Sequence, residues 1–96
     1  MQRQGDLLIL KICDIPAAAK SIVSRVLAEG EVTGHLHELD VGTVYALDDQ
    51  LFFEVSHGHP ATLTHPEHHS LVFTPGRYRV IRQREYEPGG WRNVSD

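Results

Sequence analysis

Apolar positions along the chain cluster in short blocks, and the breaks between them are Gly, Pro and Asp. Residues 6–12 form an aliphatic run from Asp6 through Leu10 to Ile12 that stops at Ile15-Pro16, the pattern of a strand buried on both faces. Residues 16–29 carry two readings. Pro16 suits a first helical position, Ile22, Val23, Val26 and Leu27 fall on one helical stripe, and Gly30 suits a stop. This predicts a helix or helical turn over 17–23, with a strand over 25–28. The alternative makes 24–28 a strand that turns at Glu29-Gly30 into Glu31-Val32-Thr33.

Beyond Gly30, blocks rich in Val, Thr, Phe and Tyr recur about every eight to twelve residues, which is all-β spacing. Residues 41–47 and 51–56 read as strands around a hairpin turn at Asp48-Asp49-Gln50. His57-Gly58-His59-Pro60 is a loop. Residues 70–73 and 77–86 read as a further hairpin around Thr74-Pro75-Gly76, and Glu87-Pro88-Gly89-Gly90 ends the ordered chain, leaving 87–96 as a flexible tail. The expected fold is mainly β: a small antiparallel β-barrel or compact sandwich over residues 1–96, with at most one short helix near 16–23.

Composition narrows the function classes. With 96 residues, 41% apolar and 23% charged, the chain holds one modest core, so any active site must share residues with the scaffold. Thirteen acidic against nine basic residues give a net charge of −4, which excludes a protein coated in basic charge. Cys13 is the only cysteine, so neither an intrachain disulfide nor a Cys-rich zinc module can form. The apolar run at 7–12 is too short to span a bilayer and no small-residue cleavage site follows it. A soluble cytoplasmic protein without a membrane partner is expected, and exposed strand edges favour a homo-oligomer.

All seven histidines lie between His35 and His69. In Thr33-Gly34-His35-Leu36-His37 the two-residue period of a strand points His35 and His37 to one face and Leu36 to the other. Thr64-His65-Pro66-Glu67-His68-His69 has capping-box spacing, which predicts one helical turn with His65 and His69 on a shared face and His68 beside them. A ligand set of His35, His37, His65 and His69 would hold one divalent transition metal: zinc, iron, nickel or manganese. Glu67 or His68 would then serve as the general acid/base. His57 and His59, in a Gly-Pro loop, read as surface residues.

The stretch Gly30-x4-His35-x-His37, with Glu38, Asp40 and Gly42 after it, resembles the first motif of the cupins, small β-barrels that hold a divalent metal with three histidines and a glutamate. Here Glu38 is adjacent to the second histidine, and Arg79 stands where the second cupin motif, suggested by Pro75-Gly76, has its own histidine. Four segments also resemble a set of small uncharacterised bacterial and phage proteins: Arg3-Gln4-Gly5-Asp6; residues 30–37; Leu63-Thr64-His65-Pro66-Glu67-His68; and residues 78–86. That resemblance implies a shared fold and no activity.

Residues 77–92 carry five arginines against two glutamates, a net +3 that leaves −7 for the rest. A regular strand separates Arg77 and Arg79 from Arg82 and Arg84, whereas a bulge at Val80-Ile81 would gather all four. Such a face, with Tyr78 to stack on bases, would bind a small anionic substrate or RNA; the plainer reading pairs these arginines with carboxylates such as Glu54, Glu85 and Glu87 across strands. Three functions follow. One is a metal-dependent hydrolase or lyase acting on a small anion. A second is an RNA-binding protein or metal-independent ribonuclease in which His35 or His37 and His65 or His68 are the general acid/base pair. The third is a structural or partner-binding domain in which the histidines only hydrogen-bond.

Overall fold

The computed structural model describes residues 1–30, 34–87 and 90–93, with residues 84–87 and 90–93 described by their backbone. Within them every regular element is a strand: β1 (Gln2–Gln4), β2 (Leu7–Ile12), β3 (Lys20–Ile22), β4 (Val26–Glu29), β5 (Leu36–Leu39), β6 (Thr43–Leu47), β7 (Gln50–Val55), β8 (Ala61–Thr64), β9 (Leu71–Phe73), β10 (Gly76–Arg82), β11 (Arg84–Glu87) and β12 (Gly90–Asn93). Six strands form one antiparallel sheet in the order β1-β2-β10-β7-β6-β3, four form a second in the order β4-β5-β8-β9, and β11 and β12 pair with each other. The result is a sandwich of two sheets rather than a closed barrel, so the barrel implied by the cupin likeness is not formed.

The core lies between the sheets. Leu7, Ile9, Val44, Phe53, Val55, Tyr78 and Val80 face inward from the larger sheet, and Leu27, Leu39, Ala61, Leu63 and Phe73 meet them from the smaller. Alternation along the strands explains the choice. On β10, Tyr78 and Val80 are buried while Arg77 and Arg79 are exposed; on β5, His37 and Leu39 are buried while Leu36 and Glu38 are exposed. Phe53 anchors the packing, with its ring 4.9 Å from Tyr78 and 5.2 Å from Phe73 between ring centres.

Several local expectations change. The helix predicted over 17–23 does not form: residues 17–18 make a turn, Ala19 N–H donates to Pro16 O, and the chain continues into β3, which pairs with β6. Ile22 and Val23 are exposed, and of the predicted stripe Leu27 alone enters the core, from strand β4. The helical turn at 64–69 is absent too, because β8 runs through Thr64 and bends follow it. The proposed hairpin around Thr74-Pro75-Gly76 is instead a crossover, since β9 pairs with β8 while β10 pairs with β2 and β7. No bulge interrupts Val80-Ile81: β10 stays in register with β2 from Arg77 to Arg82. The expected strand at Glu31-Val32-Thr33 lies outside the described residues. Of the expected tail, residues 90–93 are strand β12 and residues 88–89 and 94–96 lie outside the described residues.

Candidate functional site

The tight β1–β2 hairpin turns on Gly5 and Asp6, with Gly5 at φ 58°, a left-handed conformation that glycine adopts without steric cost. This turn tucks inward. Asp6 is 1% exposed, and its carbonyl accepts a hydrogen bond from Gln83 N–H at 2.8 Å, just past the end of β10. Gln4 and Asp6 from the larger sheet thereby meet His37 of β5, His65 just after β8 and His68 in the following loop. The site lies between the two sheets, where these segments come together.

His37 is fully buried, with Nδ1 2.9 Å from Gln4 Oε1 and Nε2 3.6 Å from Asp6 Oδ1. Asp6 Oδ2 accepts from Arg82 Nε at 2.7 Å, and Arg82 Nη2 also donates to Glu29 O at 2.8 Å. A buried carboxylate needs such a partner, and Arg82 reaches it because β10 keeps strict alternation and turns this side chain inward. Four imidazoles pack together beside this pair. The His65 ring is the hub, 4.4 Å from His37, 4.5 Å from His68 and 5.6 Å from His35, and the His37 and His68 rings lie 6.3 Å apart.

His35 and His65 also line an open pocket of about 510 Å³, with Gly34, Leu36, Glu38, Thr64 and Pro66. Glu67 governs both rings. Its carboxylate Oε1 sits 2.7 Å from His35 Nδ1, an ion-pair contact without hydrogen-bond alignment that favours a proton on that nitrogen. The Glu67 backbone N–H donates to His65 Nδ1 at 3.0 Å, so the neutral His65 ring carries its proton on Nε2. One residue thus meets Nδ1 of two neighbouring histidines, with its carboxylate at His35 and its backbone N–H at His65.

The structure brings His35, His37 and His65 together as the sequence spacing suggested, and places His68 rather than His69 with them. His69 is exposed and contributes its backbone carbonyl to Gln4 Nε2. The cause is the missing helical turn, which would have put His65 and His69 on one face. Among the described residues no three His, Cys, Asp or Glu side chains are grouped as a metal ion requires. His57 and His59 are exposed and lie outside the ring cluster.

The arginine face does not assemble. Arg77 and Arg79 point outward, where Arg77 pairs with Glu54 at 3.1 Å as its cross-strand neighbour, and Arg82 points inward to Asp6. Tyr78 is a core residue whose hydroxyl donates to Thr74 O at 2.6 Å, so it presents no ring for stacking on a base. Arg84 opens β11, and its side chain lies outside what is described. Gln4 and Asp6 were missed as site residues; their only signal was the segment Arg3-Gln4-Gly5-Asp6, in which two polar residues flank a turn glycine.

A family model described as "Domain of unknown function (DUF8820)" matches residues 3–83, and the chain belongs to that family. This agrees with the likeness to small uncharacterised proteins noted from the sequence motifs. The matched span contains Gln4, Asp6, every histidine and Arg82. No curated protein and no solved structure matches the chain. No helix among the described residues is long and apolar enough to cross a membrane.

Proposed function

We propose that this member of the family is a metal-independent acid–base catalyst whose working groups are His35 and His65, and that it cleaves a small substrate in the pocket they line. The observation that carries the reading is the double contact of Glu67, carboxylate to His35 Nδ1 and backbone N–H to His65 Nδ1, which favours His35 as a proton acceptor at Nε2 and His65 as a hydrogen-bond donor at Nε2. His35 takes the proton of a hydroxyl nucleophile, either water or a hydroxyl of the substrate, as that oxygen attacks. The His35 imidazolium formed in the attack returns that proton to the leaving oxygen, while His65 keeps its Nε2 proton and donates a hydrogen bond to the oxygen on which negative charge develops. Each positioned acid or base contributes roughly 10²–10⁴-fold in rate. The described residues of the pocket supply no arginine, and Glu38 and Glu67 lie at the two histidines, so this site favours a neutral or weakly charged substrate over RNA or a strongly anionic one.

The test needs no substrate at first. Long-range proton–nitrogen correlation spectra of the histidine rings should show His35 protonated at Nδ1 and His65 at Nε2, and Glu67→Gln should scramble His35 while leaving His65 in place. Identical tautomers on the two rings would overturn the reading. In a second arm, cleavage of a p-nitrophenyl ester and of a ribodinucleotide is followed in the presence of EDTA. Cleavage whose rate rises as one imidazole loses its proton and then levels off, lost in both His35→Ala and His65→Ala, supports the proposal. Elemental mass spectrometry of untagged protein covers the competing metal centre: near-stoichiometric divalent metal, absent from a His35→Ala/His37→Ala variant, would replace the acid–base reading with a metal-dependent one.

A further inference from the structure

Gln4 sits on β1, in the sheet opposite the one that carries His37, and it is 2% exposed. Its amide makes three buried or part-buried hydrogen bonds. Nε2 donates to Leu63 O at 2.9 Å and to His69 O at 2.8 Å, and Oε1 faces His37 Nδ1 at 2.9 Å. Backbone carbonyls only accept, so the amide's two N–H groups must face them and its oxygen must face the ring. His37 Nδ1 is therefore the donor in that contact. Leu63 and His69 bracket the segment that carries His65, Glu67 and His68, so one side chain from the edge of the larger sheet ties down both ends of that loop.

We infer that Gln4 is the positioning residue of the acid–base pair. It fixes the span of the 63–69 segment and locks His37 with its proton on Nδ1, and the His37 ring in turn packs 4.4 Å from His65 at an angle of 41°. That contact confines the His65 ring to the orientation in which its Nδ1 accepts the Glu67 N–H. A glutamine suits the position because it alone combines an apolar stem of this length with two donors and one acceptor in a plane. Glutamate would set carboxylate oxygens against the Leu63 and His69 carbonyls while keeping an acceptor for His37. Methionine would keep the length and remove all three bonds.

This inference rests on the acid–base reading for what His65 does, but the clamp can be observed without any activity. The experiment compares wild type, Gln4→Glu, Gln4→Met and Gln4→Asn by histidine ring nitrogen spectra and by hydrogen exchange at the Glu67 amide. Gln4→Glu should keep the His37 Nδ1 proton yet speed Glu67 exchange and give His65 mixed tautomers; Gln4→Met should lose the His37 signature as well. Gln4→Asn, one methylene shorter, supplies a milder release should the methionine variant not fold. If a cleavable substrate is found, these variants should lower kcat by about tenfold or more with KM little changed, as expected when a catalytic group is displaced. Folded Gln4 variants with wild-type His65 signals and Glu67 exchange would overturn the clamp. Wild-type protein lacking opposite tautomers at His35 and His65 would instead overturn the acid–base reading and leave the clamp standing.

Discussion

Replacing Arg82 by methionine removes the one hydrogen-bond partner of Asp6 Oδ2 given by the described side chains and leaves a carboxylate that is 1% exposed without its counter-charge. Oδ1 offers no compensation: among the described residues it makes no hydrogen bond, and His37 Nε2 lies 3.6 Å from it. An exposed ion pair is worth about 0–1 kcal/mol, whereas stripping one partner from a buried pair costs about 3–5 kcal/mol. Arg82 is 26% exposed, and water entering the vacated space would partly solvate Asp6, so the lower end applies, about 3 kcal/mol. Against a total stability of roughly 5–14 kcal/mol for a domain of this size, that loss lowers the thermal midpoint by more than about 10 °C. Urea titration gives the free energy directly. Asp6→Asn alone should cost about 1–2 kcal/mol, because Arg82 keeps its bond to Glu29 O and access to water. The double variant should then cost about 2 kcal/mol less than the sum of the single ones. Arg82→Met costing under about 1 kcal/mol, or additivity within about 0.5 kcal/mol, would refute the claim that this pair holds the site together.

Other outcomes can be checked on the same footing. Phe53→Ala, which empties the centre of the Phe53–Phe73–Tyr78 stack, should cost about 3–5 kcal/mol by urea titration. Gly42→Ala should cost on the order of 1–3 kcal/mol, since Gly42 has φ 109° and a Cβ there would lie 3.0 Å from Glu54 O. Arg77→Ala should change stability by less than about 1 kcal/mol despite its ion pair with Glu54, because Arg77 is 46% exposed. RNA affinity, if any is measured in a filter-binding titration, should be weak and unchanged by Arg82→Met, since that arginine faces Asp6; a loss on mutating Arg82 would show instead that it reaches nucleic acid.

What could be read from the linear chain was what depends on near neighbours. Alternation placed Leu36 and His37 on opposite faces of β5, the aliphatic block fixed β2, and the Asp48-Asp49 pair marked the β6–β7 hairpin, where Asp48 adopts φ 54°. The spacing of His35 and His37 was enough to put their rings on one side of the chain. Choices that depend on distant partners were decided by the tertiary structure. Residues 17–23 have helical spacing, but Ile22 and Val23 are left exposed, and β6 offered an edge to pair with instead. Thr74-Pro75-Gly76 has hairpin chemistry, yet β9 belongs to β8 and β10 to β2 and β7, so the turn carries the chain between sheets. His68 joined the cluster and His69 left it because strand β8 runs through Thr64 and denies the loop a helical turn. Gln4 and Asp6 became part of the site because a tight turn next to an edge strand folds inward against the Leu63 carbonyl and the Arg82 side chain, nearly sixty and more than seventy residues away. A local pattern tells which face a residue prefers; which two faces meet is set by how the sheets stack, and the histidine site exists only at that meeting.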